Sequence, residues 1–228
     1  MIPKILHYIW LGGKKTELAE KCIASFHTFL PEYEIKEWNE SNIDVNEFGE
    51  TLKEQYQQWY AEKKYAFCSD IARLFILQKY GGIYVDTDVE FIRPIPKNIL
   101  TTNFLCRDNP IGKVTCGDIW GVEPDEKLVR SSIRWFRQAL KNFGDTYGDR
   151  WIFNELIRSF FNDRGYDRYD DVIQEISGYK IYSMEWFCPK NYKTQQIKIT
   201  SNTISIHHYD GSWNKRMLKF KIKKGESK

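Results

Sequence analysis

The sequence predicts an α/β chain with a Rossmann-like mixed sheet flanked by helices. Three observations predict it. An apolar run from Ile2 to Trp10 stops at Gly12-Gly13, a helix-period stretch begins at Thr16, and a second extended run covers Tyr33 to Trp38. Strand, short glycine loop, helix and strand form a right-handed βαβ unit, and such sheets bind ligands at the carboxyl ends of their strands. Trp10 and the Gly12-Gly13 loop therefore lie at the expected ligand edge.

The elements follow in order. Thr16 is placed to cap a helix whose apolar face carries Leu18, Cys22, Ile23, Phe26 and Phe29, and Pro31 stops it. Residues 46 to 60 read as a polar helix. Lys64 to Tyr80 reads as a mostly buried one, because from Ala66 to Leu77 only Ser69, Asp70 and Arg73 are polar. At about 100° per residue these three share one narrow stripe. Gly81-Gly82 ends that helix as a C′ glycine would. Ile83-Tyr84-Val85 is a short strand, Asp86-Thr87-Asp88 follows, and Val89 to Ile92 resumes extended structure until Pro94 and Pro96. Later strands are expected at Phe104–Cys106, Ile119–Val122, Tyr179–Ser183 and Thr203–His208. Helices are expected at Asp125–Asn142 and Arg150–Phe161.

Composition narrows the function classes. With 42% hydrophobic and 16% aromatic residues the chain can fill a sizeable core, which excludes a disordered segment. A net charge of +3, spread among nearly as many acids as bases, does not point to nucleic acid. Five cysteines, Cys22, Cys68, Cys106, Cys116 and Cys188, include no CxxC pair, so free thiols in a reducing compartment are expected. No apolar run approaches the ~20 residues of a membrane span, and Met1 to Gly13 lacks a leader's cleavage site. The expected location is the cytoplasm.

Chemistry concentrates in three places. Asp86 and Asp88 are two apart, so on an extended chain both carboxylates face one point, where a hard cation such as Mg²⁺ or Mn²⁺ relieves their repulsion. Ser69, Asp70 and Arg73 sit between apolar flanks, so their charges are expected on the wall of a cavity, where sugar hydroxyls and a diphosphate could partner them. In Ile206-His207-His208-Tyr209-Asp210-Gly211-Ser212-Trp213, adjacent histidines on a strand face opposite ways. His208 is expected at the metal and His207 in the core. His7 reads as strand filler that could also line the site.

These residues resemble glycosyltransferase family 32, the group with a sugar-binding region containing a DXD motif, and more remotely the catalytic domains of clostridial glucosylating toxins. The likeness rests on Ile2-Pro-Lys-Ile-Leu-His-Tyr-Ile-Trp-Leu-Gly-Gly13, Tyr33 to Asn39, Ala66-Phe-Cys-Ser-Asp-Ile-Ala-Arg73, Tyr80-Gly-Gly-Ile-Tyr-Val-Asp-Thr-Asp88, and His207-His208 through Ser212-Trp213. It implies a GT-A fold, a divalent metal (Mn²⁺ or Mg²⁺) and a retaining transfer. Trp10 would stack on the nucleobase. Ser69 would lie at the donor, and Asp70 and Arg73 would hold the sugar hydroxyls. Tyr84 and Asp86 would contact the ribose and the sugar side of the diphosphate. Asp86, Asp88 and His208 would hold the metal, and Ser212 and Trp213 would close over the leaving diphosphate. The toxins carry a carboxylate where this chain has His208. Tyr147-Gly-Asp-Arg150 replaces the family's Gly-Pro turn, so no acceptor residue is assigned.

The resulting expectation is one GT-A domain over residues 1–228. Residues 1–120 form the nucleotide-sugar half, 121–213 the acceptor side and closing loop, and 214–228 a basic tail. It would move a hexose from a nucleotide-diphosphate sugar, UDP-hexose first and GDP-mannose second, to a saccharide or lipid-linked saccharide in surface polysaccharide or oligosaccharide synthesis. The tail alternates Lys215, Arg216, Lys219, Lys221, Lys223 and Lys224 with apolar residues, so peripheral contact with an inner membrane face is a further expectation. Two other classes share parts of the pattern. A haloacid-dehalogenase-type phosphohydrolase also places Asp-x-Asp after a strand, but here Val89-Glu90 follow in place of Gly-Thr. A non-enzymatic sugar-binding module would use the aromatics without binding a nucleotide.

Overall fold

The computed structural model describes residues 1–143 and 152–211. Seven strands form a mixed sheet in the order β2-β1-β3-β6-β5-β8-β7. They are β1 Ile5–Ile9, β2 Glu34–Trp38, β3 Gly82–Val85, β5 Asn103–Arg107, β6 Val114–Val122, β7 Gln174–Ile176 and β8 Tyr179–Tyr182. A separate two-stranded ribbon pairs β4, Val89–Phe91, with β9, Ser205–His207. The helices are α1 Glu17–Phe29, α2 Glu50–Ala61, α3 Tyr65–Tyr80, α4 Lys127–Phe143, α5 Ile152–Asn162 and the short α6 Met184–Phe187.

The opening βαβ unit forms as expected: β1 runs parallel to both β2 and β3. Thr16 caps α1, its hydroxyl accepting from the Ala19 N–H at 3.2 Å. The sheet separates two cores because alternate residues face opposite sides. On β3, Tyr84 joins the core beneath α2, α3, α4 and α5, while Ile83 and Val85 join the core beneath α1. Seen from β6, Trp120 takes the first side and Ile119 the second.

The register of the central strands builds the site. Because β6 runs antiparallel to β3 and pairs Ile119 with Val85, Asp118 and Asp86 emerge side by side where β3 ends. The Asp86-Thr87-Asp88 segment does not stay extended, contrary to the reading that aimed both carboxylates by strand alternation. It makes a tight turn, with the Val89 N–H donating to the Asp86 carbonyl at 3.2 Å. That turn carries the chain out of the large sheet and into the ribbon, where Val89 pairs with His207.

β7 and α6 escaped the sequence pattern. β7 is three residues long and joins β8 through Ser177 and Gly178, both at positive φ, in a two-residue hairpin. α6 is a single turn, too short to show a period.

Candidate active site

Helix α3, Tyr65–Tyr80, lays its polar stripe against the end of β3. Arg73 Nη2 lies 2.5 Å from Asp70 Oδ1 and 3.8 Å from Asp86 Oδ1. Its Nη1 donates to the Cys116 carbonyl at 2.9 Å, and its guanidinium covers the Tyr84 ring 4.5 Å from the centroid. Tyr84 donates its hydroxyl to Asp86 Oδ1 at 2.9 Å. Arg73 is buried, so its charge is compensated by two carboxylates, a carbonyl and a ring face. The close approach needs Gly117, since a Cβ there would stand 2.8 Å from Asp86 Oδ2 and 3.3 Å from Arg73 Nη1.

His207 brings the remaining acids together. Its Nε2 lies 3.2 Å from Asp88 Oδ1 and its Nδ1 lies 2.9 Å from Asp118 Oδ1. The Nδ1 contact is short enough for an ion pair but is not aligned as a hydrogen bond. Asp88 also accepts the Asp210 N–H at 2.8 Å. Burial opposes charge on all three groups. Even so, the two carboxylates hold the His207 imidazole well above its ordinary value, and that imidazolium draws Asp88 and Asp118 below theirs. Asp86 goes the other way. Burial pushes its carboxyl up, Arg73 opposes and Asp88 adds to the rise.

The expected placements of the two histidines are exchanged. His208 turns to Glu90, its Nε2 2.7 Å from the carboxylate, on the side where Lys21 also meets Glu90. It therefore does not join the aspartates. The cause is register: Val89 pairs with His207, so His207 shares the face next to Asp88 and its neighbour must point away.

Other expected site residues are placed as follows. Trp10 follows β1, half-buried, with its indole N–H on the Gly13 carbonyl at 2.7 Å. Its loop is pinned by Glu40, which accepts from the Gly12 N–H and the Tyr60 hydroxyl at 2.8 Å each. Ser69 returns its hydroxyl to the Tyr65 carbonyl at 3.1 Å within its own helix. Tyr84 is 1% exposed, so its ring braces Asp86 and Arg73 from beneath instead of presenting itself to a ribose. His7 is fully buried between Trp38 and the Gly81 carbonyl. Trp38 donates to its Nδ1 at 3.1 Å, which leaves Nε2 to carry the proton toward the Gly81 carbonyl at 2.9 Å. Ser212 and Trp213 lie outside the described residues.

Asp118 and Gly117 were missed by the sequence reading. The available signal was a lone carboxylate inside an otherwise uncharged strand, immediately before the run recognised as Ile119–Val122.

The donor set suits a hard divalent cation. Asp86, Asp118 and His207 each offer a ligand atom within 4.8 Å of the others, and Asp88 shares His207. Carboxylate oxygens with one imidazole fit Mn²⁺ or Mg²⁺, and the buried, unaligned Nδ1 would ligate such an ion on giving up its proton, with Nε2–H kept on Asp88.

Residues 16–106, which contain the Arg73 helix and the Asp86 turn, match the family described as "Glycosyltransferase sugar-binding region containing DXD motif". This segment is similar to DXD-motif glycosyltransferase regions. The chain is 32% identical over 115 residues to inositol phosphoceramide mannosyltransferase 3 of Schizosaccharomyces pombe, covering 49% of this chain and 31% of that one. An alpha-1,4-N-acetylglucosaminyltransferase of Homo sapiens is 38% identical over 79 residues, 35% of this chain and 19% of its own. The chain thus spans a third or less of the length of these relatives. The solved PaToxG glycosyltransferase superposes with a TM-score of 0.52 over 71% of this chain and 69% of that one, at 20% identity. The fold surrounding the DXD region is accordingly GT-A: a mixed seven-stranded sheet flanked by helices.

Proposed function

We propose that the chain transfers a hexose, with retention, from a nucleotide-diphosphate sugar to a saccharide hydroxyl. The observation that carries this reading is the meeting of Asp86, Asp88, Asp118 and His207 at the end of β3, beside the Arg73–Asp70 pair. Residues 1–120 supply most of the donor site, to which β9 adds His207. Residues 121–213 supply the acceptor side and the closing loop.

The metal would be held by Asp86, Asp118 and His207, with Asp88 fixing the histidine. When bound, the ion neutralises charge on the departing diphosphate. The protein's own groups do the rest. Arg73 adds a fixed positive charge facing Asp86 and locks Asp70 in one orientation. Asp70, half-buried at the wall, accepts hydrogen bonds from the sugar. Trp10, on its Glu40-pinned loop, offers an indole face to the base, and Ser212 and Trp213 follow the metal site in sequence as the closing segment. The acceptor hydroxyl attacks from the side the diphosphate leaves. No carboxylate is assigned as a nucleophile.

A UDP-sugar is the first donor to test and GDP-mannose the second; the mannosyl- and N-acetylglucosaminyl-transferase relatives support a hexose class. The first relative's name includes a ceramide lipid, which supports a lipid-linked saccharide as acceptor, met by a cytoplasmic enzyme at the inner face of a membrane. No described helix is long and apolar enough to cross one. The deciding experiment is a panel of nucleotide sugars with Mn²⁺, scored for slow donor hydrolysis without acceptor. One or two donors should turn over and chelation should stop it. Turnover of none, or indifference to chelator, overturns the reading.

A further inference from the structure

Asp118 has a second set of neighbours. Its Oδ1 faces His207, while its Oδ2 lies 2.9 Å from Cys188 Sγ and 4.0 Å from Cys106 Sγ. The two sulfurs are 3.4 Å apart, and one ligand atom from each of the three residues lies within 4.8 Å of the others. Cys106 comes from β5, Asp118 from β6 and Cys188 from the end of α6, so three separate elements converge. Both cysteines are fully buried and Asp118 is 5% exposed. A thiol is a weak hydrogen-bond donor and compensates a buried carboxylate poorly.

We propose that Cys106, Cys188 and Asp118 form a second metal site, selective for Zn²⁺, directly behind the DXD cluster and sharing Asp118 with it. Soft thiolates select zinc, whereas the oxygen-rich cluster in front suits Mn²⁺ or Mg²⁺, so the two sites sort metals by donor chemistry. The geometry is close to what zinc requires. Two thiolates at a Zn–S distance of about 2.3 Å in a tetrahedron stand about 3.8 Å apart. The observed 3.4 Å asks for a small rotation of each side chain. Three protein ligands leave the fourth position to water. On binding, each thiol loses its proton to solvent as its sulfur bonds the metal, and nothing is oxidised. Asp118 serves as the bridge, one oxygen to each site. The inference rests on the donor-site reading only for the sharing of Asp118.

Cobalt(II) titration of the full chain under reducing conditions tests it, because thiolate ligation gives a near-ultraviolet charge-transfer band that carboxylate and imidazole do not. The wild type should develop the band to saturation. Zn²⁺ should abolish it and excess Mn²⁺ should not. Asp86→Asn should keep the band while losing Mn²⁺-dependent donor turnover, which separates this site from the donor site. Cys188→Ala should weaken the band severely, and Cys106→Ala with Cys188→Ala should remove it with the far-ultraviolet circular dichroism unchanged. A wild-type chain without the band at saturating cobalt overturns the proposal whatever the variants do, as does a band that survives in the double variant. Failure of every nucleotide sugar in the donor panel would leave this readout untouched.

Discussion

His207 Nε2 stands 3.2 Å from Asp88 Oδ1 across the turn that joins the large sheet to the two-stranded ribbon. A residue near the end of the described chain thereby completes a site begun by the DXD turn at residue 86. His207→Ala removes a ligand and should weaken Mn²⁺ and donor binding by at least the roughly 10- to 100-fold seen when only a ligand's orienting partner is lost. His208→Ala removes only the Glu90 pair and should cost about 1 kcal/mol of stability or less. Calorimetric Mn²⁺ titration of both variants checks the assignment; equal effects would mean that neither histidine is special.

Asp88→Asn should keep the fold and lower metal-dependent donor turnover by roughly 100-fold or more, the cost of one misplaced electrostatic group at a reacting centre. A carboxamide is a poorer partner than a carboxylate for the His207 Nε2–H, so the ring that presents the ligand nitrogen is held less firmly. Wild-type turnover in this variant, measured with and without Mn²⁺, would dismiss the site.

Gly117→Ala tests the packing under Asp86. The added methyl falls 2.8 Å from Asp86 Oδ2, so the carboxylate must move. Overpacking of this kind costs about 1–3 kcal/mol. The larger effect should be on turnover, because Asp86 and Arg73 shift together. Unchanged kcat with unchanged thermal stability would show that the site has more room than the structure gives it.

His7 makes stability depend on pH. Burial pulls its imidazole from an ordinary 6.5 down to about 4, with the Gly81 carbonyl opposing. Between those values the unfolded chain takes up a proton that the folded chain refuses. Its contribution is therefore fully present above pH 6.5 and drains away toward pH 4. The loss is on the order of 3 kcal/mol. Urea unfolding of wild type and His7→Gln across that range should show the steeper slope in wild type; parallel slopes would remove His7 as the cause.

The basic tail, 214–228, lies outside the described residues. Each Lys or Arg near anionic lipid contributes about 1 kcal/mol at low salt. The full chain should float with anionic vesicles and not with neutral ones, and should release as salt rises. Equal flotation with both would end the membrane proposal.

Local rules made much of this chain legible before folding. The Thr16 cap, the glycine stops and the period of α3 are written in residues that touch within one turn. So is the pairing of Asp70 with Arg73, three apart on one helix. The DXD segment could be found for the same reason, although its geometry was misjudged: alternation describes a strand, and Asp86 to Val89 is a turn.

Longer-range features were not legible. Asp118 joins the site because β6 runs back along β3 with Ile119 opposite Val85, and a one-residue slip would have turned it into the opposite core. His207 faces the aspartates, and His208 faces Glu90, because Val89 pairs with His207. Cys106 and Cys188, 82 residues apart, meet only because α6 packs under β5. The sequence by itself determined which residue types carry the chemistry and which helices and strands present them. The tertiary structure decided which of two adjacent histidines points inward and which distant carboxylate joins the pair, because strand register is set by pairing between segments far apart in the chain.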